Sequence, residues 1–497
     1  MAAGRIAWIW FGADLQRQDR YLQTAIAGML VYALILIWAF LFAPTTWKRR
    51  ALLGSALLIP VVILASSLRI TGVTGDLLPI FEPRWKKRSA KTASRTQQTA
   101  PSTNAFVVRD YPQYLGPNRD SSVAIGLATN WSAQPPKELW RRSVGSAWSG
   151  FSVVGNRAVT HEQQGDQEVV TCYQLLTGAP IWKHGYSARY FTTIAGEGPR
   201  ATPTISSNRV YAFGGTGILT CVDLESGKAL WSHDVLKEHG GSVPEWGMAS
   251  APLVTGEHVI VSASGGKSLV AYKRDSGELA WIGGTSSGGY SWPVSATLLG
   301  EEVILNFNGR SASAYNPNSG AELWSHPWPL SYPNVTAPLP LASNLVFLTT
   351  GYGRGSELLQ ISRSDTNWTA KSLYKSNRLK SKFSNILHIG DYIYGLDDGI
   401  MACIKASDGS LQWKEGRFGH CQLILANNHI LLVTESGEMK LLQPHPQRLI
   451  ELASMKVFSD KTWNPSTLAG QIYLARNDRE AACYLMPLAD SQTIATR

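Results

Sequence analysis

One eleven-residue pattern constrains the fold of this chain more than any other feature, and it recurs five times after residue 140. Each copy begins with Ala or Cys, has Gly six positions later and ends with Trp; the copies end at Trp182, Trp231, Trp281, Trp324 and Trp413. Successive tryptophans lie 49, 50 and 43 residues apart, and the last interval of 89 residues is about two periods. We place a degraded copy, without the Gly, at Trp368 in this gap.

The pattern predicts two antiparallel strands joined by a tight turn. The glycine supplies the positive φ of the turn, and the second strand carries its Trp inward. Two further strand-like stretches, such as those within 201–215 and 250–264, precede each copy. Four strands in about 45 residues, without helices between them, are typical of one blade of a β-propeller. The predicted fold class is therefore all-β.

The number of blades follows from the positions of the copies. Seven blades are predicted to end near Trp182, Trp231, Trp281, Trp324, Trp368, Trp413 and Leu452. Residues 461–487 supply three strands of another blade, and the isolated strand Glu138–Ser143, with Trp140, is predicted to complete it and remove the free edges of the ring. We predict eight blades; seven is the alternative.

The five cysteines do not indicate a disulfide framework, and no CxxC or Cys/His cluster suggests a metal site. Cys172, Cys221 and Cys403 occupy the first position of the pattern, where other copies have Ala, and Cys483 aligns with them in the last blade. We interpret these four as buried packing residues.

The N-terminal region contains two uncharged apolar runs, Tyr21–Trp47 and Ala51–Leu68. Each can form a helix that crosses roughly 30 Å of hydrocarbon, and we predict spans at 24–43 and 51–69. A removed signal peptide is the alternative, but it explains only one run. The basic residues 48–50 between the spans predict a cytoplasmic turn, although the basic cluster at 84–95 opposes this orientation.

The domain organisation follows from these features. We predict an N-terminal segment at 1–20, two membrane spans within 21–70, a basic flexible linker at 71–107, a propeller at 108–490 and a tail at 491–497. The net charge of +10 comes almost entirely from residues 1–95, which contain 13 Lys and Arg and four acidic residues. The propeller is nearly neutral, which argues against a nucleic-acid partner.

The repeated pattern resembles the tryptophan-docking repeat of pyrroloquinoline-quinone (PQQ) propellers, and CVDLESGKALW is a near-complete copy. Segments such as DYPQYLGPNRDSSV (110–123), GPRATPT (198–204) and GYGRGSELL (351–359) are similar to bacterial PQQ-binding-like β-propeller repeat proteins, including membrane-anchored members. The resemblance implies a propeller. It leaves function open, because this fold serves both quinoprotein dehydrogenases and a non-catalytic outer-membrane assembly lipoprotein.

Candidate ligand-binding residues precede the innermost strand of each blade, where they are expected to line one mouth of the central channel. They are Trp148, Arg200, Trp246, Tyr290, Asn334, Lys382, His420, Trp463 and Asn464. Their aromatic and basic character would suit a flat anionic ligand such as PQQ. The alternative is a structural ring that plugs the channel and binds neighbouring carbonyls.

Catalysis is not favoured by this ring. Quinoprotein dehydrogenases hold calcium through carboxylate and amide oxygens and use an Asp as general base, whereas the ring contains no acid and only Glu245 lies beside it. The predicted function is a binding or scaffold module in the bacterial inner membrane, with the propeller in the periplasm and an envelope protein or a small ligand as partner. The alternative is a PQQ- and calcium-dependent oxidoreductase that feeds electrons to the membrane.

Overall fold

The computed structural model describes residues 2–12, 17–86, 95–96, 106–328 and 333–489. The chain divides into two compact units, Met1–Ser89 and Ala90–Arg497. The predicted tail at 491–497 and part of the predicted linker lie outside the described residues.

The first unit contains two helices that are long and apolar enough to cross a membrane, Arg17–Phe42 and Trp47–Ser67. The first is α-helical over Arg17–Ile37 and continues as a π-helix over Trp38–Phe42. Both helices begin earlier in the chain than predicted. A short helix at Ala2–Ala7 and a π-helical turn at Trp8–Gly12 precede them.

A β-hairpin follows the second apolar helix without a break. Its strands, Leu68–Val73 and Pro79–Pro83, pair antiparallel around a turn. Residues 71–83 therefore differ from the flexible linker predicted over 71–107. The prediction missed the hairpin because this segment lacks regular alternation of polar and apolar residues, and a bulge between Ile70 and Gly72 shifts its register.

The second unit is an eight-bladed propeller of antiparallel four-stranded sheets, as predicted. Blades 1 to 4 contain the strands Ser152–Val154, Arg157–Gln164, Gln167–Gln174 and Pro180–Ser187; Thr204–Ser206, Arg209–Phe213, Ile218–Asp223 and Ala229–Asp234; Leu253–Thr255, His258–Ser262, Leu269–Lys273 and Leu279–Gly283; and Val294–Leu298, Glu301–Phe307, Ser311–Tyr315 and Glu322–Pro327.

The remaining blades complete the ring. Blades 5 to 8 contain Leu339–Ala342, Leu345–Thr350, Gly355–Ser364 and Asn367–Ser376; Leu387–Ile389, Tyr392–Asp397, Ile400–Lys405 and Leu411–Arg417; Leu423–Ala426, His429–Val433, Glu438–Gln443 and Ile450–Lys456; and Thr467–Ala469, Ile472–Arg476, Glu480–Leu485 and Lys137–Ser143. Elements outside this core are the strands Arg95–Thr96, Ser122–Val123, Phe191–Thr192 and Gly196–Glu197 and the short helix Val235–Glu238.

The predicted ring closure is confirmed. The strand Lys137–Ser143 pairs with Glu480–Leu485, so the outermost strand of blade 8 comes from the N-terminal side of the propeller. Trp140 lies opposite Cys483, which is the same pairing that Trp182 makes with Cys172 in blade 1. Both edges of the ring are thereby paired within one sheet.

Each docked tryptophan contacts the next blade. The Trp182 Nε1–H donates to the Leu224 carbonyl at 2.8 Å, and a Cβ atom on Gly227 would lie 2.6 Å from the Trp182 ring. Gly227 also has a φ of +69°. The glycine is therefore required for two reasons, the left-handed turn and the indole packed against it.

Blade 5 corrects one sequence assignment. Its third and fourth strands are ten residues long, and the pairing slips by one residue just after Leu358 and Tyr374. The same slip follows the Cys–Trp pair in blade 1. Tyr374 therefore takes the docking position that we assigned to Trp368, and its hydroxyl donates to the Ala406 carbonyl of blade 6 at 2.8 Å.

The four cysteines assigned to packing lie on the third strands and have no measurable exposure. Burial raises the pKa of the Cys403 thiol to about 11, and it also raises that of Cys483. Cys421, which the repeat does not explain, is buried at the start of blade 7. None of the five forms a disulfide.

Candidate functional site

The predicted ring residues belong to the connections that lead into the innermost strands. These connections lie beside the turns between the second and third strands: the side-chain amide of Asn334 donates to the carbonyl of Asn308, in the turn of blade 4, at 2.8 Å. The backbone N–H of Tyr290 donates to the carbonyl of Asn334 at 2.9 Å. We call this end of the propeller the mouth.

Arg200 is hydrogen-bonded to several backbone carbonyls. Its guanidinium donates to the carbonyls of Ala195 and Gly196, each at 2.9 Å, to that of Trp246 at 2.9 Å, and to that of Gly198. It also lies 4.1 Å from the centroid of Tyr190. Burial lowers the pKa of Arg200 to about 10. Its donors are thus used within the protein.

Aromatic side chains from the connections before blades 1, 6, 7 and 8 form a continuous row across the mouth. Trp148 and Trp463 have ring centroids 4.9 Å apart, Trp463 and Phe383 5.1 Å, and Phe383 and His420 4.8 Å. Phe383, before blade 6, contacts both His420, before blade 7, and Trp463, before blade 8. The row therefore links the connections of these four blades through aromatic contacts.

The other two aromatic candidate residues, Trp246 and Tyr290, lie before blades 3 and 4 and contact each other. The backbone N–H of Trp246 donates to the Tyr290 hydroxyl at 3.4 Å, and burial raises the pKa of Tyr290 to about 12. Trp246 in turn accepts from Arg200. This chain of contacts links blades 2, 3 and 4, and the Tyr290 contact with Asn334 extends it to blade 5.

The two asparagines hold backbone carbonyls. The Asn464 side-chain amide donates to the carbonyls of Ala147 and Ser149, at 2.9 and 2.8 Å, and so joins blade 8 to blade 1. Asn334 does the same between blades 5 and 4. The side-chain oxygens of both are buried and have no hydrogen-bond partner within the described residues.

Lys382 is buried, and its ammonium lies 5.4 Å from the centroid of Tyr352. Its charge favours the ionised form of Asp398, but burial dominates and raises the pKa of that carboxyl. The neighbouring Asp397 forms ion pairs with Lys414 at 3.1 Å and with Lys380 at 3.5 Å. Asp398 also pairs with Lys380, at 3.7 Å, and the Glu435 carboxylate accepts from the backbone N–H of His420 at 3.1 Å.

Sequence reasoning missed two members of this site, Phe383 and Lys461. Phe383 is one residue after the predicted Lys382 and points to the aromatic row instead. The Lys461 ammonium lies 3.7 Å from the Trp463 centroid and 4.8 Å from that of Trp148, and burial lowers its pKa to about 8. A basic residue two positions before Trp463 was the available signal.

The channel is also crossed by the segment Tyr111–Ser121. This segment contacts the inner parts of seven blades, so it passes over the central axis. Tyr111 bonds to Val153 of blade 1, Pro112 to Ile205 of blade 2, Arg119 to Ala251 of blade 3, and Ser121 to both Asn385 of blade 6 and Leu425 of blade 7. Tyr114 packs against Trp292 and Ala337, next to blades 4 and 5.

A small hairpin projects from the mouth between blades 1 and 2. Its strands are Phe191–Thr192 and Gly196–Glu197, and the ring residues Trp148 and Arg200 both donate to its Ala195 carbonyl, at 2.7 and 2.9 Å. Phe191 is 59% exposed and Ile194 39% exposed. Val243, in the next connection, is 44% exposed. The ring thus holds apolar side chains toward solvent.

The residues do not fit a calcium–PQQ site of the dehydrogenase type. Within the described chain, no three His, Cys, Asp or Glu side chains converge as metal ligands. Asp397 and Asp398 are paired with lysines, and the donors of Arg200 bind carbonyls of the protein. No reaction step through PQQ follows from this arrangement.

Comparison with known proteins supports the fold. The sequence profile of the outer membrane protein assembly factor BamB matches residues 165–415. No curated protein matches the chain. The structure of BamB from Moraxella catarrhalis is similar with a TM-score of 0.50 and 15% identity, over 71% of this chain and 98% of that one.

Two quinoprotein structures are also similar. For europium-containing methanol dehydrogenase the TM-score is 0.56 with 13% identity, over 75% of this chain and 89% of that one. For quinohemoprotein alcohol dehydrogenase from Comamonas testosteroni the values are 0.54 and 11%, over 78% and 82%. At these identities the similarities show the fold alone.

Proposed function

Since the chain belongs to the family of the outer membrane protein assembly factor BamB, we propose that it is a membrane-anchored scaffold whose propeller binds an envelope protein through the mouth. The two apolar helices anchor it in the bacterial inner membrane, and the propeller faces the periplasm. The family includes proteins that assemble others, and a propeller presents long loops suited to such contacts.

The observation that carries this proposal is the use of the ring residues as supports. Trp148 and Arg200 bind the hairpin that exposes Phe191 and Ile194, rather than leaving their donors for a small ligand. Exposed apolar side chains grouped on a rigid base are typical of protein contact sites. The rival function, PQQ-dependent oxidation, requires ligands that the mouth does not bring together.

The test is site-specific photocross-linking in cells that produce the full-length protein. A photoreactive phenylalanine replaces Phe191 in one variant and Leu230, on the outermost strand of blade 2, in the control. Leu230 is similarly apolar and 46% exposed. We expect one discrete adduct of an envelope protein at position 191 and none at 230. Equal labelling at both positions, or no adduct at 191, would contradict the proposal.

A second measurement addresses the rival directly. Purified protein is mixed with PQQ and Ca²⁺, and the quinone absorbance and the reduction of a dye by alcohols or sugars are followed. We expect no saturable change and no reduction. Substrate-dependent dye reduction would favour the oxidoreductase. Residues Trp148 and Trp463, which would stack against a quinone, are then the positions to substitute first.

A further inference from the structure

The hairpin after the second apolar helix has one exposed apolar face. Strand pairing sets Ile70 opposite Phe81, and these side chains are 51% and 56% exposed. Their neighbours Arg69 and Glu82 also pair, with Nη2 and Oε2 3.7 Å apart. Because successive residues of a strand point to opposite sides, the hairpin is apolar on one face and charged on the other.

More exposed apolar side chains lie at the same end of the helices. Leu77, in the turn of the hairpin, is 41% exposed, and Trp85, just after its second strand, is 72% exposed. The turn is held beside the start of the first helix, because Asp76 forms an ion pair with Arg17 at 3.5 Å. The N-terminal turn that contains Trp8 also reaches this end: the indole N–H of Trp10 donates to Thr24 at 2.9 Å, and Trp8 is 59% exposed.

The hairpin is continuous with the apolar surface of the helix Trp47–Ser67. The Arg84 N–H donates to the Ser67 carbonyl at 2.8 Å, so the second strand ends where the helix ends. The nearby helix residues Val62 and Leu64 are 55% and 60% exposed. Tryptophan and basic side chains are enriched where membrane helices leave the hydrocarbon, and Trp85 stands between Arg84 and Lys86 at this point.

We propose that the hairpin Leu68–Pro83 is an interfacial membrane element, which lies at the boundary of lipid headgroups and acyl chains with Ile70, Leu77, Phe81 and Trp85 toward the acyl chains. Arg69, Arg84 and Lys86 then remain at the level of anionic headgroups. The occupant of this apolar face is the bilayer that the two helices span. This inference rests on the membrane anchoring stated above and adds a third point of attachment to it.

The test measures the depth of single nitroxide labels. The full chain is placed in nanodiscs of phosphatidylethanolamine and phosphatidylglycerol, and one cysteine is introduced at a time. The five native cysteines are buried, so the new thiol reacts selectively. The variants are Ile70→Cys and Phe81→Cys on the apolar face, with Glu82→Cys on the other face for comparison.

For each label, collisions with oxygen are compared with collisions with a water-soluble nickel chelate. We expect the ratio of oxygen to nickel collisions to be several-fold higher at positions 70 and 81 than at 82. A label at 81 that collides with nickel as often as one at 82 would overturn the inference. A label at 81 that collides with neither reagent would also overturn it, because a protein surface would then cover the face.

A label at Val62→Cys separates this inference from the membrane anchoring. If the label at position 62 collides mainly with oxygen while the label at 81 does not, the helix crosses the bilayer and only the hairpin assignment fails. If position 62 itself collides freely with nickel, the anchoring fails and the interfacial hairpin fails with it.

Discussion

The contact between blades 8 and 1 and the contact between blades 7 and 8 use different tryptophans. In the first, Trp140 of the outermost strand is buried and donates to the Leu175 carbonyl at 2.8 Å, against Gly178. In the second, Ala453 pairs with Leu441 at the position where the other blade has its Trp. Trp131, from the segment before blade 8, is 6% exposed and packs in the same core cluster.

The difference shows that a tryptophan from outside the repeat can pack at the contact between two blades. Trp131 donates to the Ala128 carbonyl at 3.0 Å, and the Ala128 N–H bonds to Pro487, just past the third strand of blade 8. A cavity of about 300 Å³ remains between Trp131 and Ala453. Trp131, which precedes the strand Lys137–Ser143, thus supplies an indole where blade 7 has Ala453. The cavity shows that Trp131 packs less tightly than Trp140 does.

The largest effect should come from removing the strand that closes the ring. We expect a protein that begins at residue 106 to unfold cooperatively. One that begins at residue 143 should aggregate, because its blade 8 has an unpaired edge and it also lacks Trp131 and the channel segment Tyr111–Ser121. In the intact chain, Trp140→Ala should cost about 3–5 kcal/mol of unfolding free energy. Thermal unfolding followed by circular dichroism measures both. Equal melting of the two truncated proteins would mean that the strand Lys137–Ser143 is dispensable.

A substitution at the contact between blades 7 and 8 should be nearly as costly. Unlike the loss from Trp140→Ala, this loss of stability should be partly restored by a second substitution. Trp131→Ala is expected to lose about 3 kcal/mol. Adding Ala453→Trp supplies an indole from blade 7 and should restore part of this loss, since the existing cavity gives it room. Urea unfolding of the single and double variants gives the coupling. Additive effects would show that the two positions do not share one docking role.

Besides the docked Trp182, blade 1 contains a buried titratable group, His161. His161 is fully buried, its Nε2 lies 3.0 Å from the Tyr186 hydroxyl, and that hydroxyl donates to Glu168 at 2.9 Å. Burial lowers the pKa of His161 from 6.5 to about 3. Between these values the unfolded chain binds a proton that the folded protein does not, so stability falls as the pH falls from 6.5 toward 3.

The expected slope from this one group is about 1.4 kcal/mol per pH unit within that window. His161→Gln should therefore flatten the dependence of unfolding free energy on pH between 6 and 4 relative to the unsubstituted protein. An unaltered slope in His161→Gln would mean that His161 is protonated in the folded protein.

Regular parts of the propeller were predictable because their cause is local. The Gly of each turn and the Trp four residues later define a blade within eleven residues. Trp140 could be assigned to blade 8 because its isolated strand ends at a Trp, as the outermost strands of other blades do. Non-periodic contacts escaped prediction. Nothing in the sequence near Ala453 indicates Trp131, more than 300 residues away, and the use of the Arg200 donors by the hairpin depends on the folded path of the chain.

Blade 5 offers a smaller test of the same idea. Tyr374→Phe keeps the ring and leaves the Ala406 carbonyl without its donor, which should cost about 1–2 kcal/mol. Trp368→Phe, at the position first assigned from the repeat, should cost less, because that side chain is only partly buried. Urea midpoints compare the two. A larger cost at Trp368 would restore it as the docking residue of blade 5.

The smallest effect is expected at the residues opposite the docked tryptophans. Cys172 and Cys403 face Trp182 and Trp413 across the strand pair, where blade 3 has Ala271 facing Trp281. Each Cys→Ala change removes one buried sulfur atom and should cost on the order of 1 kcal/mol, because Ala is compatible with the same pairing. The reverse change, Ala271→Cys, must fit one extra atom beside Trp281 and should also shift stability by about that amount. Urea unfolding of all three variants compares them, and loss of folding in any Cys→Ala variant would show that the sulfur does more than fill space.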